Sequence, residues 1–184
     1  MDLLTSQDRQ AQANEGPRSG ARRARSTLLV RQVVRTLAAG GLEVGVVNLV
    51  GVLRDAGFEQ GVCCLEEEGP LASQVPPGVP VWSCRPRRPS LWNRHEFRAA
   101  ALFRRFRPDV IHARNYGAWI DAACARAAAL NPGRLAFTIH GWSQTAAMPG
   151  GRALACRLLA RLTDGMAAVS PQTASEFSND TGIP

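Results

Sequence analysis

The chain holds 184 residues, 45% of them hydrophobic, which suffices for one compact α/β domain with a real core and is too little for two domains of ordinary size. Its formal charge of +7 comes wholly from arginine, since 22 arginines and no lysine stand against 15 acidic residues. A nucleic-acid binder would gather its basic residues with aromatics on one face; these group only in part, at 18–25, 85–88 and 94–107, so nucleic acid is not expected as a partner.

The five cysteines, Cys63, Cys64, Cys84, Cys124 and Cys156, form no CxxC pair and have no histidine at zinc-finger spacing. They read as small buried hydrophobes of a reducing compartment, and no metal site is expected. No stretch approaches the ~20 apolar residues that span a bilayer, and the N-terminus lacks the apolar core of a signal peptide. The expected location is cytoplasmic, at most peripheral at the inner membrane face.

In chain order, residues 1–26 show no usable periodicity and are expected to be a disordered basic leader, with 27–184 as the folded domain. From Thr27, "TLLVRQVV" predicts a strand. Leu42, Val46, Leu49 and Leu53 then recur at helical spacing up to a stop at Gly57. Glu59 to Glu66 and Val79 to Cys84 predict two further strands, joined by a Gly/Pro-rich loop too short for a long helix. Trp92 to Arg107 predicts a helix with Ala99, Leu102, Phe103 and Phe106 inward, stopped at Pro108.

The alternation continues. "DVIHA" predicts a strand, Gly117 to Leu130 a helix, "RLAFTIH" a strand, Arg152 to Leu162 a helix and "GMAAVS" a strand. Ser170 followed by Pro171 marks the N-cap of one more helix. Strands alternating with helices imply a Rossmann-like parallel sheet with helices on both faces, joined by right-handed crossovers. Ligands of such sheets lie outside the carboxyl ends of the strands. Four loops therefore matter: Thr36 to Glu43, Arg114 to Trp119, His140 to Gly151 and Ser170 to Gln172.

In the first of these, Gly40 and Gly41 stand just before a helix, where backbone N–H groups and the positive end of the helix dipole favour an anion. A tight turn accounts for the glycines equally well, because the pattern is neither GxGxxG nor a P-loop. His112 reads as a core histidine bonded locally, His95 as a surface one, and His140, at a strand's carboxyl end, as a functional candidate. The run Glu66 to Glu68 reads as a solvated loop, as does the face of Arg94, Arg98 and Arg105, though basic groups there could meet anionic lipid. Trp119 and Trp142 are open to either sugar stacking or packing.

The order of "GGLE" at the first helix, "RPDVIHARNYG" across the fourth strand, "FTIHG" at the fifth and "AVSPQT" at the sixth resembles the N-terminal half of family 4 glycosyltransferases, over Leu28 to Pro184. The resemblance implies one half of a GT-B fold, and a retaining enzyme that passes a sugar from a nucleoside diphosphate sugar to a hydroxyl acceptor, glycan or lipid-linked. By position it implies a donor phosphate and sugar loop of Gly40, Gly41 and Glu43. It likewise implies His140 as the catalytic-site histidine, and Arg114, Asn115, Trp142 and Ser170 on the acceptor side. No metal and no cofactor beyond the donor substrate is implied. Val44 departs from the arginine common at that place in the family.

The family's C-terminal domain, which holds most of the donor, is missing from these residues, so the chain is expected to be inactive, or nearly so, by itself. The other reading is a non-catalytic Rossmann-type mononucleotide-binding or interaction domain. A dinucleotide-dependent oxidoreductase ranks last, because the first loop lacks a third glycine and no acidic residue closes the second strand cleanly.

Overall fold

The computed structural model describes residues 27–85, 95–131, 133–142 and 150–184. The expected leader at 1–26 and the first predicted helical residues, 92–94, lie outside them. Six strands form one sheet in the order β3-β2-β1-β4-β5-β6. They are β1 (Leu29–Val34), β2 (Glu59–Cys64), β3 (Val81–Ser83), β4 (Val110–Ala113), β5 (Arg134–Ile139) and β6 (Gly165–Ala168). Every neighbouring pair is parallel.

Between them run α1 (Gly41–Asp55), α2 (His95–Phe106), α3 (Tyr116–Ala128), α4 (Gly150–Arg161) and α5 (Pro171–Thr181), with a short 3-10 turn at Pro70–Gln74 in the Gly/Pro-rich loop. Each predicted element is present, with ends displaced by a few residues. The strand order reverses at β1, whose sequence neighbour β2 lies on one side and β4 on the other. At such a reversal the loops after β1 and β4 diverge and leave a crevice.

Successive residues of a strand face opposite sides, so Val33 and Val34 enter different cores. Val34, Val62 and Cys64 pack against Val46 and Val50 of α1. Val33, Ile111, Leu135 and Phe137 pack on the other side against Phe103 of α2 and Trp119 of α3. Trp119 lies flat on Phe137, ring centroids 4.1 Å apart and 5° from parallel, and its Nε1 donates to Thr163 Oγ1 at 2.8 Å. A wholly buried indole with its one donor satisfied is a packing residue, which resolves the open reading of Trp119.

Local chemistry fixes the loops at the carboxyl edge. Leu37 donates its N–H to Glu68 O and accepts from Leu71 N, both at 3.0 Å, which stitches the loop after β1 to the loop after β2. Gly69 permits this approach with φ of +75°, where a Cβ would stand 2.6 Å from the Leu37 carbonyl. Asn115 caps α3, its Oδ1 accepting from Ala118 N at 2.8 Å, and Ser170 caps α5 by accepting from Thr173 N at 3.1 Å.

Candidate functional site

Outside the carboxyl ends of β1, β4 and β5 lies a cavity of about 380 Å³, lined by residues that include Arg35, Asn115, Tyr116, His140, Trp142 and Arg152. Arg35 follows β1, Asn115 and Tyr116 open α3, His140 and Trp142 leave β5, and Arg152 stands in the first turn of α4. The topology therefore draws together groups more than a hundred residues apart. Of the residues expected on the donor and acceptor sides, Asn115, His140 and Trp142 line this cavity. Gly40, Gly41, Glu43, Arg114 and Ser170 do not, although all five stand on the same carboxyl edge of the sheet.

His140 is half-buried, and burial together with the nearby charge of Arg114 lowers its pKa from 6.5 to about 4. It is a neutral imidazole near pH 7, and its Nε2 is buried with no hydrogen-bond partner among the described residues. His112 lies behind it on β4. Its Nε2 meets Thr138 Oγ1 at 2.7 Å and Arg114 Nη1 at 3.4 Å, and burial, then Arg114, bring its pKa to about 4. Local bonding is what the sequence led us to expect of it. Arg114 is itself buried, and its Nε also lacks a partner among the described residues.

Two basic groups that sequence reasoning missed dominate the cavity. Arg35 is ion-paired through Nη2 with Glu66, while its Nη1 hangs over the first turn of α3, 3.2 Å from where a Cβ on Gly117 would stand. Glu66 is thus a partner of a cavity residue rather than only a solvated loop residue. The guanidinium of Arg152 lies 4.4 Å from the Tyr116 ring and 5.4 Å from the Trp142 ring, a cation–π seat for its charge. Trp142 itself is 5% exposed, donates Nε1 to Asp180 Oδ2 at 2.8 Å and meets Phe177 edge-on. Its ring supports Arg152 and the core, a role that packing alone explains.

The glycine loop divides its two residues. Gly40 is extended, with φ of −163°, and a Cβ there would run into the Glu43 carboxylate. Glu43 folds back over the N-cap, which gives Gly40 a reason internal to the chain. A Cβ on Gly41 would meet nothing within 4 Å, so the fold alone does not demand glycine there.

The expectation that His95 is a surface residue is corrected. Its side chain is mostly buried and its Nε2 lies 3.1 Å from Asp121 Oδ2, tying α2 to α3. With Glu96 these residues form the one group of metal-ligand character among the described residues, each offering an atom within 4.8 Å of the others. The 26 positions separating His95 from Asp121 hid the pairing from any spacing rule. Cys124 is exposed, unlike the other four cysteines.

A parallel doubly wound sheet with a basic cavity outside its strand ends defines a Rossmann-like ligand-binding domain. The chain belongs to glycosyltransferase family 4, whose family model matches residues 39–184. No curated relative matches it. Among solved structures it is similar to Anabaena HepE in complex with UDP-glucose, with a TM-score of 0.68 and 16% identity over 85% of this chain and 41% of that one. A glycosyltransferase from Rickettsia africae gives a TM-score of 0.63 and 14% identity over 86% and 41% of the two chains. The lipopolysaccharide outer core galactosyltransferase WaaB gives 0.60 and 12% over 85% and 43%. At these identities the likeness establishes the fold: this chain corresponds to one Rossmann-like half of the GT-B glycosyltransferases. It spans about two fifths of the length of the structures it matches. Among the described residues no helix is long and apolar enough to cross a membrane.

Proposed function

We propose that this chain is the N-terminal, acceptor-side half of a retaining hexosyltransferase that uses a nucleoside diphosphate sugar. The observation that carries the reading is the neutral imidazole of His140 at the carboxyl edge of β5 in a family 4 domain, its buried Nε2 without a hydrogen-bond partner among the described residues. A neutral ring can share a hydrogen bond with a sugar hydroxyl without the cost of burying a charge.

Two features support a donor loop at the start of α1. Gly41 is open to close approach, and the first N–H groups of a helix lack intrahelical acceptors. Developing charge on the leaving diphosphate would be met by these N–H groups and by cationic residues of the opposing half. Burial, and after it the charge of Arg114, keeps the two histidines neutral, and Asn115 fixes the first turn of α3 beside them. Ser170 orders the start of α5 on the same edge.

Because half of the cleft belongs to the second domain, the chain alone is expected to release nucleoside diphosphate from a panel of nucleotide hexoses no faster than buffer. Turnover by the purified chain would refute this division of labour. A cytoplasmic, peripheral position at the inner membrane face belongs to the same proposal. Leu154 and Leu158 on α4 and Leu162 just past its end stand more than half exposed, with Arg161 beside them. Failure to co-sediment with anionic vesicles would remove that part.

A further inference from the structure

The cavity's charge is not explained by a neutral sugar. Arg35 and Arg152 line it, Arg114 stands behind His140, and among the described residues the lining contains no carboxylate. Glu66 offsets one charge through Nη2 of Arg35 and leaves Nη1 facing the first turn of α3. Among the described residues, the buried Nε of Arg152 has no hydrogen-bond partner. Guanidinium groups only donate, so every unmet arginine valence here asks for an acceptor. A buried donor left unmatched costs free energy that an acceptor-rich ligand recovers.

We propose that this cavity binds an oxyanion carried by the acceptor, a phosphate monoester or a carboxylate, between Arg35 and Arg152 over the N-terminus of α3. The inference rests on the transferase reading and deepens it, since it names the acceptor's class. Arg152 is preset by the rings of Tyr116 and Trp142, and Arg35 by Glu66, so little side-chain order remains to be imposed on binding. Two guanidinium groups lining one cavity beside a helix N-terminus suit the several acceptor oxygens of such a group. The donor's diphosphate is the competing occupant, and the lining argues against it: neither Gly40 nor Gly41 contributes to the cavity.

The test is calorimetric titration of the chain with inorganic phosphate, with acetate and, separately, with UDP, using wild type, Arg35→Gln and Arg152→Gln. Arg35 is about half exposed, so its variant should fold even if removal of Arg152 from its aromatic seat does not. We expect phosphate or acetate to bind wild type and to weaken about tenfold or more in each folded variant, as loss of a charge-assisted bond implies. The stronger of the two probes tells which oxyanion the site prefers. UDP affinity should be unchanged by either substitution. The proposal is overturned if neither anion binds wild type, if the variants bind them equally well, or if UDP weakens in parallel with them. Loss of UDP binding in wild type with anion binding intact would instead count against the donor-loop reading.

Discussion

Lowering the pH should destabilise this domain through its two partly buried imidazoles, and His112 isolates the effect. In the folded chain its pKa is about 4, against 6.5 for the free side chain, because burial and then Arg114 and His140 disfavour the imidazolium. Between those values the unfolded chain takes up a proton that the native chain refuses, so stability falls as pH drops from 6.5 to about 4 and is unaffected by this group above that window. The difference of about 2.5 pH units corresponds to ~3 kcal/mol at 1.36 kcal/mol per unit, reduced to ~2 kcal/mol because the ring retains some contact with solvent. Carboxylates titrate near the lower end of the same range, so the variant His112→Gln provides the control: it keeps a polar partner for Thr138 and cannot titrate. Urea unfolding across the window should show wild type losing about 2 kcal/mol more than the variant. Equal slopes for the two proteins would refute the assignment of a partly buried, neutral His112.

Gly69→Ala should cost more than about 2 kcal/mol in urea unfolding, since a Cβ at φ +75° would strike the Leu37 carbonyl and unpick the stitch between two loops; a smaller loss would mean that the loops yield. Asn115→Ala removes the cap of α3 and should cost about 1 kcal/mol by the same measurement, whereas Asn115→Ser should recover most of it. Gln32 is wholly buried with both amide atoms unpartnered among the described residues, so Gln32→Met should raise stability by ~1 kcal/mol, and a loss would reveal a partner for that amide. Gly41→Ala should leave the unfolding midpoint within about 0.5 kcal/mol of wild type or raise it, because helix formation favours alanine and no atom obstructs the Cβ.

The framework was legible because its cues are local. β-branched runs, the Ser170-Pro171 start and the stop at Pro108 place elements without reference to distant residues. The carboxyl-edge rule then pointed to His140 and to the loop of Asn115, a residue the resemblance singled out, and the structure brings both into one cavity. What sequence could not show was pairing at a distance. Arg35 and Arg152 stand 117 positions apart and read as one more arginine each in an arginine-rich chain. His95 looked exposed among arginines until the packing of α2 on α3 put Asp121 beside it. The paired glycines looked equivalent, yet Glu43 accounts for Gly40 and leaves Gly41 free. The sequence places Arg152 at a helix start, but its seat on Tyr116 and Trp142 comes from residues that no local cue links to it. Residues worth flagging from sequence are therefore the charged ones immediately after strands and at helix starts on the carboxyl edge.

The most direct test of the donor-cleft reading is a nuclear magnetic resonance titration of the isotopically labelled chain with UDP-glucose and, in parallel, with UDP alone. The account predicts that both ligands shift the backbone amides from Gly40 to Glu43, and that the sugar nucleotide alone also shifts the His140 ring. Identical footprints for the two ligands, or shifts that spare the Gly40 to Glu43 amides, would contradict it.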